Sequence, residues 1–335
     1  MENLKLIDDS AMCLSRKKKG KSYEYFDENG EKITNKKTIK RLKDLVIPPM
    51  WTKVMICKFD DGHIQATGRD LKNRKQYIYH SEYERAQQLK KFEKLTAFAD
   101  ALPEIRKQYH QDLKKKRWKK QKLLALIVSI LDHSGMRVGN QQYVKNNETY
   151  GLTTLRRKHL TVKNGEVSFQ YKGKSNQIRK VHIDDHDLTK FIKESAQLPG
   201  YELFRYKVSS RKYKEVDSDD VNRYIGKYMG KQFSSKDFRT WVASRLAVEF
   251  YPMALEQKEK SSKKKFSNIL IKMVAEEMGN TPSVCKDYYV HPTIFQKADS
   301  KTIPNPNPFR KSRKKYKLSA SEKLAKKIIE ESPAK

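Results

Sequence analysis

Two adjacent tyrosines near the end of the chain, Tyr288 and Tyr289, are the residues in which we first look for chemistry. They lie in Met278–Pro292, which reads MGNTPSVCKDYYVHP. A phenol has an ordinary pKa of about 10 and is a poor nucleophile unless neighbouring groups assist it. Attack on a phosphate would need cations around the phosphorane oxygens and a proton donor for the leaving alkoxide. The plainer interpretation is that both rings pack on the core.

Candidate cations for such a reaction lie far from the tyrosines along the chain. Arg137 follows an apolar helical segment in SGMRVGN, Lys174 lies in the turn-like YKGKSNQ, and Arg239 begins a helical segment in SKDFRTWVAS. The chain holds 73 lysines and arginines, so any one of them is expected by default to be solvated or to contact a phosphate. Spacing and composition alone do not select these three.

The tyrosines are expected on a short helix of their own. Gly279 is typical of the end of the preceding helix, Thr281 of an N-cap and Pro282 of a first helical position. Pro292 is expected to stop the helix. Both tyrosines then lie near its end, with Asn280 at the junction before it.

The first 80 residues favour β structure with short helices. Trp51–Phe59 alternates loosely between apolar and polar residues and is followed by Asp60-Asp61-Gly62, which is a strong hairpin signal. His63–Gly68 is the predicted return strand, and Lys75–Tyr79 is a further predicted strand. We therefore expect a compact antiparallel domain at this end of the chain.

The rest of the chain is mostly helical, with one β meander inserted. Residues 160–183 read LTVKNGEVSFQYKGKSNQIRKVHI, in which Asn164-Gly165 and Gly173–Gln177 are the predicted turns between three strands. Asp237 is the predicted N-cap of a helix. The predicted helical segments are Leu123–Leu131, Asp237–Tyr251 and Phe266–Met278.

Composition and pattern divide the chain into four parts. We expect a β-rich domain at 1–80, a charged and helix-prone linker at 81–94, a mainly helical catalytic domain at 95–300 and a basic tail at 301–335. The tail contains PNPNPFRKSRKKYK, which is typical of mobile chain. Ala320–Glu331 predicts one terminal helix within it.

The charge balance predicts a polyanionic partner. Lysine and arginine outnumber aspartate and glutamate by 73 to 40, and the resulting net charge of +33 opposes compaction through self-repulsion. Nucleic acid is the leading candidate, ahead of an anionic membrane surface or an acidic protein.

No apolar run approaches the roughly 18 residues of a membrane span, and the start does not have the pattern of a signal peptide. Three scattered cysteines suit neither a disulfide framework nor a zinc site, which favours a reducing, soluble compartment.

Several long segments resemble the type IB DNA topoisomerases, in particular their compact poxvirus-like and bacterial branch. VIPPMWTKVMIC and GHIQATGRDLKNRKQYIYH resemble the N-terminal domain of that branch. MRVGNQQYVKNNETYGLTTLRRKHL, the GKSN turn, KDFRTWVAS and MGNTPSVCKDYYVHP resemble its catalytic domain, so the likeness covers roughly residues 20–295. It implies an α+β fold in which a small antiparallel β domain and a larger, mainly α catalytic domain with a three-stranded meander form a clamp around duplex DNA.

The resemblance implies roles for the tyrosine and the arginines singled out above. Tyr289, nine residues after Asn280, matches the nucleophile. Tyr288 does not match it and is expected to pack. Arg137 and Arg239 match the arginines that contact the non-bridging oxygens of the scissile phosphate.

Two lysines match residues that move protons in this family. Lys174 matches the general acid that protonates the 5′-oxygen leaving group from a hairpin in the minor groove. Lys236, three residues before Arg239, matches a second lysine implicated in proton transfer. Asn280 stands where poxvirus-like members have histidine, and its uncharged amide can still donate a hydrogen bond to a phosphoryl oxygen.

Further residues are expected to contact DNA. Gln76, Tyr77 and Tyr79 match DNA-contacting residues of the N-terminal domain, and such side chains beside cations suit contacts with base edges and phosphates. The full set of expected DNA contacts is Arg69, Arg74, Lys75, Gln76, Tyr77, Tyr79, Tyr143 and Lys145.

The resemblance also implies an activity. The chain is expected to relax supercoiled DNA through a transient 3′-phosphotyrosine, strand swivelling and religation, without ATP, metal or another cofactor. We expect a monomer that binds double-stranded DNA and no membrane, in the cytoplasm and associated with the nucleoid.

Other functions stay open at this stage. A tyrosine recombinase shares the nucleophile and the cations, but no His-x-x-Arg surrounds Arg239, and the first 80 residues resemble the topoisomerase domain. A non-enzymatic nucleoid or RNA-binding protein fits the charge but leaves the matched residues unexplained.

Metal binding by His182 and His186 is not favoured, because they lie beside a turn after a strand. Lys114–Lys120 suits a solvated face and a phosphate contact equally well.

Overall fold

The structure is a computed structural model that describes residues 4–20, 22–260, 265–304 and 316–332. The chain divides into two compact units, Met1–Lys91 and Phe92–Lys335. Within the described ranges, no helix is both long enough and apolar enough to cross a membrane.

The first unit is built on a five-stranded antiparallel sheet with the strand order β2-β1-β3-β4-β5. Apolar side chains of the sheet, including Leu14, Val54 and Ile56, pack with Leu42 of a helix. The elements are β1 (Leu14–Lys19), β2 (Ser22–Phe26), α1 (Lys36–Asp44), β3 (Thr52–Ile56), β4 (Ile64–Arg69), β5 (Lys75–Tyr79) and the start of α2 (Ser81–Glu93).

The sequence predictions for the sheet are confirmed. β3 pairs with β4 across the turn at Asp60-Asp61-Gly62, and β5 has the predicted bounds. Trp51 packs beside Gly68, where an added Cβ would lie 2.7 Å from the indole ring. The glycine therefore lets this strand pass close beneath the tryptophan.

The second unit is mainly helical and has one continuous apolar core. Phe98, Trp241 and many leucines and isoleucines of its helices are fully buried there. Its helices are α3 (Leu95–Leu113), α4 (Lys120–Ser134), α5 (Gln141–Asn147), α6 (His186–Ala196), α7 (Ser218–Met229), α8 (Ser235–Glu249), α9 (Tyr251–Glu259), α10 (Phe266–Met278), α11 (Pro282–Tyr288), α12 (Pro292–Asp299) and α13 (Ala320–Glu330).

The predicted three-stranded meander lies within this unit. β6 (Leu160–Lys163), β7 (Glu166–Lys172) and β8 (Ile178–Ile183) pair in that order as antiparallel neighbours. Their alternate residues, such as Phe169 and Val181, join the helical core. A two-stranded ribbon of β9 (Tyr206–Lys207) and β10 (Tyr213–Lys214) follows.

Two predicted helix boundaries are wrong. Asp237 is not the N-cap of α8, because the helix already begins at Ser235 and its N-cap is Ser234. The Asp237 carboxylate instead accepts hydrogen bonds from the backbone N–H (2.8 Å) and Oγ (2.9 Å) of Ser234, as in a capping box. Pro292 begins α12 and does not stop α11, which already ends at Tyr288.

The terminal helix is part of the core. The helix predicted over Ala320–Glu331 is found as α13, and it packs against α3, α8 and α12 instead of belonging to a mobile tail. Ile328 and Ile329 are buried in the core. Most of the basic PNPNPFRKSRKKYK segment, residues 305–315, lies outside the described residues.

A buried ion network fastens α13 to the core. Arg106 of α3 donates to Asp132 (2.7 and 2.9 Å) and to Glu322 of α13 (2.6 and 3.0 Å), and Glu322 also accepts from Trp241 Nε1 at 3.3 Å. Burial alone would raise the pKa of Glu322, but the charge and hydrogen bonds of Arg106 outweigh it and hold this pKa below its usual value of 4.5. The carboxylate is therefore charged at neutral pH.

We expect Glu322→Gln to lower the free energy of unfolding at pH 7 by about 3 kcal/mol, because the buried Arg106 charge loses one of its two partners. Since the folded pKa of Glu322 lies below 4.5, this stabilisation is present above pH 4.5 and is lost as the pH falls through the folded pKa. Urea unfolding at several pH values measures both effects. Glu331→Gln, which removes a partly exposed charge just after the same helix, is the control and should change little. Equal stabilities of wild type and Glu322→Gln at pH 7 would refute the role of the network.

Candidate active site

Four of the six predicted catalytic residues converge in the second unit. Arg137 Nη2 donates to Asn280 Oδ1 at 2.6 Å, and Arg239 Nη2 donates to the same oxygen at 3.3 Å. The guanidinium carbon of Arg239 lies 4.9 Å from the centre of the Tyr289 ring. Two guanidinium groups are thus aimed at one oxygen acceptor beside the tyrosine.

Arg137 is held by a glycine-dependent loop after α4. Gly135 ends α4 in the left-handed conformation, at φ 60°. The Arg137 carbonyl accepts a hydrogen bond from Leu152 N at 2.8 Å. An added Cβ at Gly151 would lie only 2.6 Å from Gly139 and 2.8 Å from this carbonyl, so the two backbone segments can meet only at glycine.

Arg239 lies five residues into α8 and is buried. Its Nη1 donates to the carbonyl of Gly135, which ties α8 to the end of α4. Its Nε is buried without a hydrogen-bond partner among the described residues. Such a donor is costly to leave unsatisfied, which favours an additional acceptor at this point.

Tyr289 is the first residue after α11, and its ring packs partly buried against the core. Ser244 of α8 fixes the backbone at Tyr289 and directly after it. The Ser244 Oγ donates to the Tyr289 carbonyl (3.4 Å) and accepts from the His291 backbone N–H (3.0 Å). Sequence reasoning missed Ser244, although a serine in the middle of an apolar helix is a signal of a buried hydrogen bond.

Tyr288 is more exposed than we expected for a residue that packs on the core. As the last residue of α11 it points outward, and 43% of its surface is exposed. The helix ends between the two tyrosines, so the backbone of Tyr289 leaves the helical conformation, and its ring turns towards Arg239.

The site is strongly electropositive. In the part of the chain that the structure describes, the hydrogen-bond partners of Arg137 and Arg239 are neutral oxygens and not carboxylates. Burial, and then the neighbouring Arg239 charge, lower the pKa of Arg137 to about 10. Two guanidinium groups held together without a counter-charge form a site suited to an oxyanion.

The two predicted proton-transfer lysines are exposed on elements that flank these residues. Lys174 begins the short turn Lys174–Asn176 between β7 and β8. Lys236 lies in the first turn of α8, three residues before Arg239. Neither lysine belongs to the hydrogen-bonded group around Asn280.

Asn280 accepts hydrogen bonds from both arginines. Its Oδ1 faces both arginines, and its Nδ2 faces the buried Cys285 Sγ at 3.8 Å. The side-chain oxygen therefore occupies the point on which Arg137 and Arg239 converge.

Sequence reasoning missed Arg179, a further buried arginine close to the site. Arg179 on β8 is buried, and its guanidinium donates to the carbonyls of Met278 and Gly279, directly before Asn280. Its signal is the alternation of IRKVHI, which places Arg179 on the same buried face as Val181 and Ile183.

Four of the predicted DNA contacts of the first unit, Lys75, Gln76, Tyr77 and Tyr79, lie along β5, an edge strand, while Arg69 and Arg74 lie at the ends of the turn before it. The rings of Tyr77 and Tyr79 stack at 5.8 Å, and Tyr79 stacks on Tyr83 at 5.5 Å. Lys75 Nζ lies 5.3 Å from the centre of the Tyr77 ring. A row of partly exposed rings beside cations is suited to nucleic acid, and Tyr83 is its one member that sequence reasoning missed.

Asp70 organises the turn before this strand. Its carboxylate accepts from Arg74 Nε (2.8 Å) and Gln76 Nε2 (3.1 Å), and the hydrogen bonds from Arg74 lower the pKa of Asp70 to about 2. Arg69 donates to the carbonyl of Asn73 at 3.2 Å. These contacts set the direction in which the cations of the turn project.

The remaining sequence candidates lie on the surface of the second unit. Tyr143 and Lys145 are exposed on α5, which Asn140 caps. His182 and His186 are also exposed. Among the described residues, no group of three or more histidine, cysteine, aspartate or glutamate side chains is arranged to hold a metal ion.

Comparisons with known proteins agree with the sequence resemblance. Residues 80–316 match the family model of the eukaryotic DNA topoisomerase I catalytic core, and residues 22–70 match that of the bacterial DNA topoisomerase IB N-terminal domain. DNA topoisomerase 1B of Acanthamoeba polyphaga mimivirus is 32% identical over 276 residues, which cover 80% of this chain and 81% of the relative. DNA topoisomerase I of Monkeypox virus is 26% identical over 241 residues, which cover 70% of this chain and 73% of the relative.

A solved structure of XerH site-specific recombinase bound to palindromic difH substrate is similar over 60% of this chain and 49% of that chain, with 17% identity and a TM-score of 0.34. A likeness this weak supports no conclusion. The two family models together match most of the chain, and both describe topoisomerases. The chain therefore belongs to the type IB DNA topoisomerase family.

Proposed function

We propose that this enzyme relaxes supercoiled DNA by cutting one strand, letting the free end swivel and rejoining it. The observation that supports this best is the convergence of Arg137 and Arg239 on one oxygen beside Tyr289. Two fixed guanidinium groups can bind the non-bridging oxygens of a phosphodiester next to a phenol that can attack it.

In the proposed reaction the Tyr289 oxygen attacks phosphorus in line with the 5′-oxygen. The phenolic proton passes to solvent, the P–O5′ bond breaks, and Lys174 gives a proton to the departing 5′-oxygen. The product is a 3′-phosphotyrosine and a free 5′-hydroxyl. One phosphodiester is exchanged for another, so religation is the reverse reaction and needs neither ATP nor metal.

The arginines keep their charge throughout and stabilise the pentacoordinate phosphorane. Before DNA binds, the Asn280 oxygen holds Arg137 and Arg239 in place. When DNA binds, oxygens of the phosphate take over the hydrogen bonds that the two arginines donate to Asn280. Asn280 then rotates its amide to donate to a phosphoryl oxygen. Lys236, in the first turn of α8, assists proton transfer.

We propose that the residues along β5 and on α5 bind the same duplex and that the protein closes on it as a clamp. We propose a DNA-binding domain at 1–80, a linker at 81–94 and a catalytic domain that begins at 95 and includes α13, in place of the separate basic tail predicted at 301–335. The net charge of +33 supports a large phosphate contact area. We further propose a nucleoid-associated monomer.

Relaxation of a supercoiled plasmid in EDTA without ATP tests the function. We expect complete relaxation by catalytic amounts of enzyme, with activity that falls as salt rises because phosphate contacts release counterions. Plasmids without any recombination site should be relaxed equally well. Plasmid that stays supercoiled, or that relaxes only after Mg²⁺ or ATP is added, would refute the proposal.

A further inference from the structure

Arg179 is a buried cation to which the proposed reaction gives no task. It lies on β8, only 4% exposed, and donates through Nη1 to the carbonyls of Met278 and Gly279. These carbonyls belong to the end of α10, where the last backbone acceptors of a helix lack internal partners. A cation at this position also interacts favourably with the helix dipole.

The backbone of Gly279 is shaped to receive this guanidinium. Gly279 has φ 50°, and a Cβ at this position would overlap with the Arg179 side chain. Asn280, which contacts Arg137 and Arg239, is the next residue, and Tyr289 directly follows the adjoining helix α11. The contact therefore lies directly at the base of the segment that carries the nucleophile.

On its other side, Arg179 marks the point where the β7–β8 hairpin leaves the core. It pairs across the hairpin with Tyr171, which is also buried. Beyond this pair, Asn176, Gln177, Ile178 (63%) and Lys174 at the tip are exposed. The position of Lys174 thus depends on how firmly the Tyr171–Arg179 pair is held.

We propose that Arg179 is a positioning residue that fixes the Lys174 hairpin to the segment carrying Asn280 and Tyr289. Both carbonyls that it contacts are backbone groups, so the guanidinium links β8 to the end of α10 without occupying the convergence point of Arg137 and Arg239. Its task is to bring the proton donor and the nucleophile to the same phosphate. The inference rests on the proposed function, because it assigns Lys174 as the proton donor.

Single-turnover cleavage of two duplexes at saturating enzyme tests this inference. One duplex has the ordinary 5′-oxygen at the cleavage site, and the other has a 5′-bridging sulfur, which leaves without protonation. We expect Arg179→Met to slow cleavage of the oxygen substrate about 10²-fold, the loss typical of a displaced catalytic group. The loss on the sulfur substrate should be much smaller, because it needs no proton from Lys174.

Arg179→Lys keeps the positive charge but loses the forked geometry of the guanidinium. Its cleavage rate on the oxygen substrate should lie between the rates of wild type and Arg179→Met. Lys180→Met is the matched control: it removes an exposed cation from the same strand and should leave both cleavage rates at saturation unchanged. Equal losses on the two substrates in both Arg179 variants, or no loss in either, would overturn the positioning role. If wild-type enzyme forms no adduct on either duplex, the proposed function itself fails.

Discussion

Tyr289→Phe should abolish covalent capture of DNA, with a loss on the order of 10⁴-fold or more, because in the proposed reaction no other group supplies the nucleophilic oxygen. The Phe ring can keep its place beside Arg239, which lies 4.9 Å from the ring centre, so the surrounding site should be preserved. Duplex binding should remain close to wild type, since it depends on many cations over the chain. Denaturing gels of labelled suicide substrate measure capture, and gel shifts measure binding.

Tyr288→Phe is the matched control for this prediction. The two tyrosines are neighbours, but the Tyr288 ring projects from the end of α11 and is 43% exposed. We expect its variant to form the adduct at the wild-type rate. An inactive Tyr288→Phe with an active Tyr289→Phe would show that the nucleophile has been assigned to the wrong residue.

Lys174→Ala should slow cleavage of an ordinary duplex by about 10³-fold, within the range observed for loss of a general acid. The reason is that an alkoxide is a poor leaving group unless it is protonated as the P–O bond breaks. With a 5′-bridging sulfur the leaving thiolate needs no proton, so most of the rate should return. Single-turnover cleavage of both substrates at saturating enzyme measures the difference.

Lys180→Ala on the same hairpin distinguishes the effect of losing a positive charge on DNA binding from the effect of losing the proton donor on the cleavage rate. It removes an exposed cation, so we expect weaker binding at high salt but an unchanged rate at saturation on either substrate. Should Lys174→Ala slow the sulfur and oxygen substrates by equal factors, Lys174 would not be the proton donor. The sulfur rescue of Lys174→Ala should also exceed that of Arg179→Met, because Arg179 only positions the proton donor that Lys174 itself supplies.

The elements that carry the site were predictable because their signals are local. α10 has the predicted bounds, Phe266–Met278, and Thr281 caps the next helix by accepting from Val284 N at 3.3 Å. The meander and the strand Lys75–Tyr79 followed from turn residues and alternation. Such patterns depend on backbone conformation over a few residues, and sequence records them directly. Family resemblance, and not spacing, selected the arginines and lysines proposed to act in catalysis.

Boundaries were less predictable where two local signals compete. Asp237 has the type of an N-cap, but Ser234 three residues earlier completes a capping box with it and moves the start of α8. Proline at 292 suits both the end of one helix and the first position of the next. The structure resolves this because α11 already ends at Tyr288.

The sequence by itself determined several of the helices and strands that carry the site, together with the basic character of this protein and the residue types needed for phosphate chemistry. Only the tertiary structure decided that Arg137 and Arg239 share the Asn280 oxygen, which lies 143 and 41 residues away along the chain. It also decided that Tyr289 faces this site while Tyr288 faces outward, and that Arg179 meets the end of α10. The physical reason is that these contacts arise from the packing of distant elements, for which no local pattern of residues exists.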